Sequence, residues 1–80
     1  MPAEEKRELT YGEKAVGLNF NPGVNPAVNT VKAAYAAIIE PVNDARTAAE
    51  PGEAGRLFSV AITETQSAQI LAVKAITWVN

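Results

Sequence analysis

The 80-residue sequence contains no cysteine and no histidine. Without cysteine there is neither a disulfide framework nor a thiol nucleophile, and without both residues no usual zinc ligand set remains. The missing histidine also removes the commonest general base near neutral pH and every Ser–His or Cys–His arrangement. Basic residues are few, 7 Lys and Arg against 9 Asp and Glu for a net charge of −2. That balance argues against generic DNA binding, which is driven by counterion release. The length allows one domain, close to the lower limit for a self-sufficient core. A small binding or assembly module is what remains.

Charge is scarce over two long stretches. Glu4, Glu5, Lys6, Arg7, Glu8, Glu13 and Lys14 fall in 1–14, and Glu40, Asp44, Arg46, Glu50, Glu53 and Arg56 in 40–56. Between them stands only Lys32, and after them only Glu64 and Lys74. Charges mark solvated surface, so the pattern outlines a wet N-terminal segment, a dry arm, a wet connection and a second dry arm. This is the outline of a hairpin. Met1 to Lys14 has no apolar core of the kind a signal peptide requires. Residues 57–79 carry Ser59, Thr63, Glu64, Thr65, Gln66, Ser67, Gln69 and Lys74, too many polar groups for a membrane span. A soluble, intracellular protein with no membrane partner is expected.

Residues 1–9 are polar and expected to be flexible. In 10–25 the apolar Tyr11, Val16, Leu18 and Phe20 alternate with Gly12, Gly17 and a run of turn formers from Asn19 to Pro26. An ordered, extended segment packed on something larger is expected there. Asn25-Pro26 is a helix start, Asn as cap and Pro at the first helical position. Val28, Val31, Tyr35, Ile38, Ile39 and Val42 then recur at steps of three and four, predicting a first helix over 26–49. Pro41 should kink or end it. Glu50-Pro51-Gly52 reads as a turn, and a second helix is predicted over 52–79. Leu57, Phe58, Ala61, Ile62, Thr65, Ala68, Gln69, Ala72, Val73, Ile76 and Val79 form one broad face of it, with Val60, Leu71 and Trp78 elsewhere. A helix apolar around most of its girth must be buried on more than one side. The expected fold is therefore all-α, an antiparallel two-helix hairpin with an extended N-terminal segment, assembling into a helical homo-oligomer.

Candidate chemistry is sparse. Glu64 is the one acid in a dry arm, whereas carboxylate catalysis needs two in one site. Gly12, Gly17 and Gly23 match neither phosphate-loop nor dinucleotide spacing. No enzyme activity, metal or cofactor is expected. Lys32 stands out, because a buried cation needs an anion. That anion is either a carboxylate, Glu64 or Glu13 across a subunit interface, or a phosphate at that interface. Tyr11 and Tyr35 suit a core or interface, although an aromatic and a lysine together are what a nucleotide needs. The polar run 63–67 and Gln69 either fix oligomer register or line a polar ligand site.

The runs at 9–17 (Leu-Thr-Tyr-Gly-Glu-Lys-Ala-Val-Gly), 20–23 (Phe-Asn-Pro-Gly), 26–32, 61–66 and 73–78 resemble a phage hairpin-domain family. Its members include anti-CBASS sponges (CBASS is cyclic-oligonucleotide-based antiphage signalling) and the helical part of anti-Thoeris sponges. The resemblance spans roughly residues 9–79. It implies a helical-hairpin oligomer, commonly a hexamer with a dimer as the alternative, acting in the cytoplasm of the infected bacterial host. Such proteins sequester cyclic dinucleotides, and in several cases cyclic trinucleotides or cyclic ADP-ribose variants, without cleaving them. The resemblance further implies that Tyr11, flanked by Gly12 and Lys14, stacks on a base, and that Lys32 meets the ligand. Asn21 and Tyr35 complete the candidate set. Arg56 is the counterpart of an arginine used for trinucleotides, although Ala34 stands where a hydroxyl is expected. The alternative function is a small helical oligomeric interaction module with no nucleotide ligand.

Overall fold

A computed structural model of the chain describes residues 8–19 and 25–79. They form α1 (Tyr11–Ala15), α2 (Pro26–Ala48) and α3 (Glu53–Ile76), with no strand among the described residues. The expectations for 1–7 and for the turn-rich 20–24 lie outside these residues.

α2 begins as the Asn25-Pro26 pair dictates. The Asn25 side-chain oxygen accepts the Ala27 N–H at 2.8 Å, and Pro26 occupies the first turn. The helix runs on through Pro41 without ending there. The proline ring removes the hydrogen bond to the carbonyl of Ala37, one turn earlier. Both residues are solvent-exposed, so water can donate to that carbonyl in place of the missing N–H. Ala49 to Gly52 connect the long helices, and Gly52 enters α3 at φ 136°, a conformation that favours glycine. Arg46 bonds Ser59, Ile39 packs near Ile62, and Lys32 shares a cavity with Gln69. Partners thus fall earlier on α2 as they fall later on α3, which makes the long pair an antiparallel hairpin.

The segment expected to be extended instead starts with a helical turn. Thr10 and Glu13 form a capping box: the Glu13 N–H donates to Thr10 Oγ1 at 3.1 Å, and the Thr10 N–H to Glu13 Oε1 at 2.9 Å. Gly17, at φ 63°, closes α1. The Leu18 N–H reaches the Glu13 carbonyl and the Gly17 N–H that of Lys14, the two bonds of a Schellman motif. α1 lies against α2 at Gly12, where a Cβ would collide with the Ala36 carbonyl oxygen. The Gly12 N–H donates to Glu40 Oε1 at 2.8 Å, placing a carboxylate on the positive end of α1.

The core is small: Val16, Ala36, Ile39 and Ile62, flanked by Ala15, Leu18, Tyr35 and Val42. On α2 the buried stripe is Val28, Lys32, Ala36 and Ile39, while Ile38, expected inside, is half exposed. The broad apolar face expected for α3 divides in two. Ile62 and Gln69 are buried, whereas Leu57, Ala61 and Ala68 face out on the same side as Val60 and Leu71. No helix among the described residues is long and apolar enough to cross a membrane.

Arg46 joins all three helices. Its guanidinium lies 5.4 Å from the Tyr11 ring centroid, donates to Asn43 Oδ1 at 2.6 Å and to Ser59 Oγ at 3.2 Å. Arg46→Ala should therefore lower the melting temperature, with about 1.5–4 kcal/mol lost from one cation–π contact and two side-chain hydrogen bonds. Arg46→Lys should recover only part of it, because an ammonium cannot stack and fork at once. Thermal melts followed by circular dichroism measure both; equal stability of all three chains would remove Arg46 as a tie.

Candidate functional site

The cavity that gathers polar side chains has a volume of about 460 Å³ and is walled by all three helices. α1 and its exit supply Lys14 and the backbone around Val16 and Gly17, α2 supplies Lys32, and α3 supplies Gln66, Gln69, Ile70 and Val73. Each side chain is there for a local reason. The Schellman turn brings the chain back over α2 just after Lys14. The α2 register that buries Val28 and Ala36 also buries Lys32 between them, four residues from each. Gln66 and Gln69 stand at i and i+3 on the inner face of α3.

Lys32 is 4% exposed, and its Nζ donates to the Gly17 carbonyl at 2.9 Å. Gln66 Nε2 donates to the Ala15 carbonyl at 3.2 Å, leaving the Gln66 carbonyl oxygen for another donor. Gln69 is also 4% exposed, and among the described residues no hydrogen bond engages its amide. No buried side-chain nitrogen or oxygen among them is sealed off without a partner, so the Gln69 amide opens on the cavity. The wall thus combines two ammonium groups, two amides and the apolar flank of Ile70 and Val73. Such a surface can bind an anion and hydrogen-bond a planar polar group beside it.

Of the candidate residues, Lys14 and Lys32 meet at this cavity. Tyr11 stands apart from it, 39% exposed with Arg46 over its ring. Gly12 is spoken for by its approach to Ala36, and Tyr35 is half-buried against the core. Arg56 sits in the first turn of α3, ten residues before Gln66 and about 15 Å from it along the helix. There it forms an exposed ion pair with Glu53. The guanidinium holds the Glu53 carboxyl below its ordinary value of 4.5, so what little the pair adds is present above that value and lost as pH falls. Asn21 lies outside the described residues. Glu64, one carboxylate suggested for Lys32, is exposed on the outer side of α3 and does not line this cavity. Among the described residues no three His, Cys, Asp or Glu cluster in a way that could hold a metal.

Sequence reasoning did not reach Glu40, Arg46, Ile70 or Val73 as parts of this arrangement. Gln66 and Gln69 carried a signal, as amides interrupting an apolar helix face. Comparison with family models, with curated proteins and with solved structures finds no match to this chain.

Proposed function

We propose that this chain is a phage-encoded sponge. It binds cyclic nucleotide immune signals at the Lys14–Lys32 cavity and holds them without cleavage, inhibiting CBASS or Thoeris defence in the infected cell. The observation that carries the proposal is one cavity in which a buried lysine, a second lysine and an open glutamine amide converge. A phosphate would lie on the ammonium groups and a base edge or ribose on the amides, against Ile70 and Val73. A sequence with no cysteine or histidine is consistent with holding a phosphodiester intact. Tyr11 does not line the cavity of its own chain. In the homo-oligomer that belongs to this proposal, a base stacked on Tyr11 occupies a site shared between copies.

The first test is a thermal-shift screen against cyclic di- and trinucleotides and cyclic ADP-ribose isomers. A ligand at about 100 times its Kd should add about 2.7 kcal/mol, a rise of many degrees in a chain of this size. Ligand recovered intact after heat denaturation completes the expected result. No shift across the panel, or recovery of linear product, would overturn it. A second reading, an interaction module without nucleotide, is favoured by the apolar outer side of α3, with Leu57 52% and Leu71 65% exposed. It predicts a flat screen.

A further inference from the structure

The outer side of α3 is patterned as a seam. Leu57, Ala61, Glu64, Ala68, Leu71, Ala75 and Trp78 follow one another at alternating steps of four and three, the repeat of helices that pack in pairs. Val60 lies beside this line. Leu57, Val60, Leu71 and Trp78 are 52%, 42%, 65% and 63% exposed. The seam's C-terminal end also holds a groove of about 500 Å³ between Leu71, Lys74, Ala75 and Trp78. These four stand at i, i+3, i+4 and i+7, the spacing of the hole that receives a knob from a facing helix. Trp78 lies just past the end of α3, its N–H on the Ala75 carbonyl and its ring 6.0 Å from Lys74 Nζ.

We propose that a second copy of this chain docks here, α3 against α3 and antiparallel, with a two-fold axis beside Ser67. This rests on the homo-oligomer proposed above and fixes its surface and direction. Val60 lies seven residues before Ser67 and the groove is centred about seven after it, so Val60 of each copy enters the groove of the other. Leu57, ten residues before the axis, then meets Trp78. Such a contact is self-complementary, as a two-fold interface must be. Charge decides the direction. Parallel, in-register pairing would set Glu64 against Glu64 within an apolar seam, a costly arrangement, and would face groove to groove. Antiparallel pairing separates the two carboxylates by six residues, about 9 Å along the seam. Ser67 and Ala68 at the axis are small enough for close approach.

Because the chain has no cysteine, single cysteines report the pairing without background. Ser67→Cys should crosslink to itself under mild oxidation, and an equal mixture of Val60→Cys and Ala75→Cys chains should give the mixed dimer. Leu57→Cys should not crosslink to itself, since its two copies lie about 30 Å apart along the seam. Leu71→Glu, at a position exposed in the single chain, should lower the mass measured by light scattering with helicity unchanged. Self-crosslinking at Leu57→Cys, or a Leu71→Glu mass equal to that of the unaltered chain, would overturn this pairing and leave the oligomer standing. An unaltered chain that is monomeric at high concentration would overturn both. A monomer would also remove the Tyr11 site shared between copies, whereas the Lys14–Lys32 cavity lies within one chain and is tested separately by the nucleotide screen.

Discussion

Lys32→Met should weaken cyclic-nucleotide binding by about 10- to 100-fold, the value of one hydrogen bond to a charged group, about 1.5–3 kcal/mol. The substitution keeps an unbranched four-atom stem, with sulfur in place of Cδ, and removes the ammonium. Its effect on the fold is smaller, because two terms oppose each other. The Gly17 carbonyl loses the donor now 2.9 Å away, while the chain no longer has to bury a cation. Calorimetric titration beside a thermal melt separates the outcomes. A folded Lys32→Met chain that binds as tightly as the unaltered one would take Lys32 out of the ligand site. Its burial would then be explained by the Gly17 contact, and the interaction-module reading would gain. Tyr11→Ala is the companion variant, expected to lose binding while light scattering shows the same assembly.

Gly12→Ala should cost about 1–3 kcal/mol, the ordinary cost of overpacking, and lower the melting temperature by roughly 4–8 °C per kcal/mol lost. The added methyl would meet backbone, the Ala36 carbonyl, with the Ala36 Cα also 3.2 Å away. Neither can turn aside as a side chain would. The strain is relieved only by lifting α1 from α2, which breaks the Gly12–Glu40 bond and moves the Lys14 wall of the cavity. Ligand affinity should therefore fall with stability, although no atom of residue 12 lines the cavity. A Gly12→Ala chain with unchanged melting temperature and affinity would show that α1 does not sit this closely on α2.

The long hairpin was legible because its signals are local. Asn25-Pro26 places one helix start, and Pro51-Gly52 places the turn within a residue of where α3 begins. α1 was legible too, but the two glycines masked it: Thr10-x-x-Glu13 is a capping box, and Gly17 is a helix stop five residues after Gly12. Read as punctuation, Gly17 ends a helix; read as a breaker, it argues against one. Pro41 lies inside α2 and does not end it, within the span predicted, because a helix interior tolerates proline when the orphaned carbonyl is on an exposed turn. Which face of α3 is inner and which outer was beyond reach from composition, since apolar residues occupy both, Ile62 inside and Val60 and Leu71 outside. The burial of Lys32 needed the partner helix to be seen, although its isolation in a dry arm pointed to it.

The bonds that dock α1 on the hairpin span a wide range of sequence, from 15 residues for Lys32–Gly17 upward. α2 and α3 are joined by four residues, so their pairing closes a short loop at little entropic cost. The Gly12–Glu40 bond spans 28 residues and the Gln66–Ala15 bond 51. Contacts of that range form late when local ones are available. The hairpin can thus nucleate at its own short loop, whereas the Gln66–Ala15 side of the cavity forms only when α1 and α3 have both met α2. In the reverse direction α1, a single turn held by its docking contacts alone, is expected to let go first. For the ligand proposed above, release is then expected to follow the undocking of these five residues rather than the unfolding of the rest.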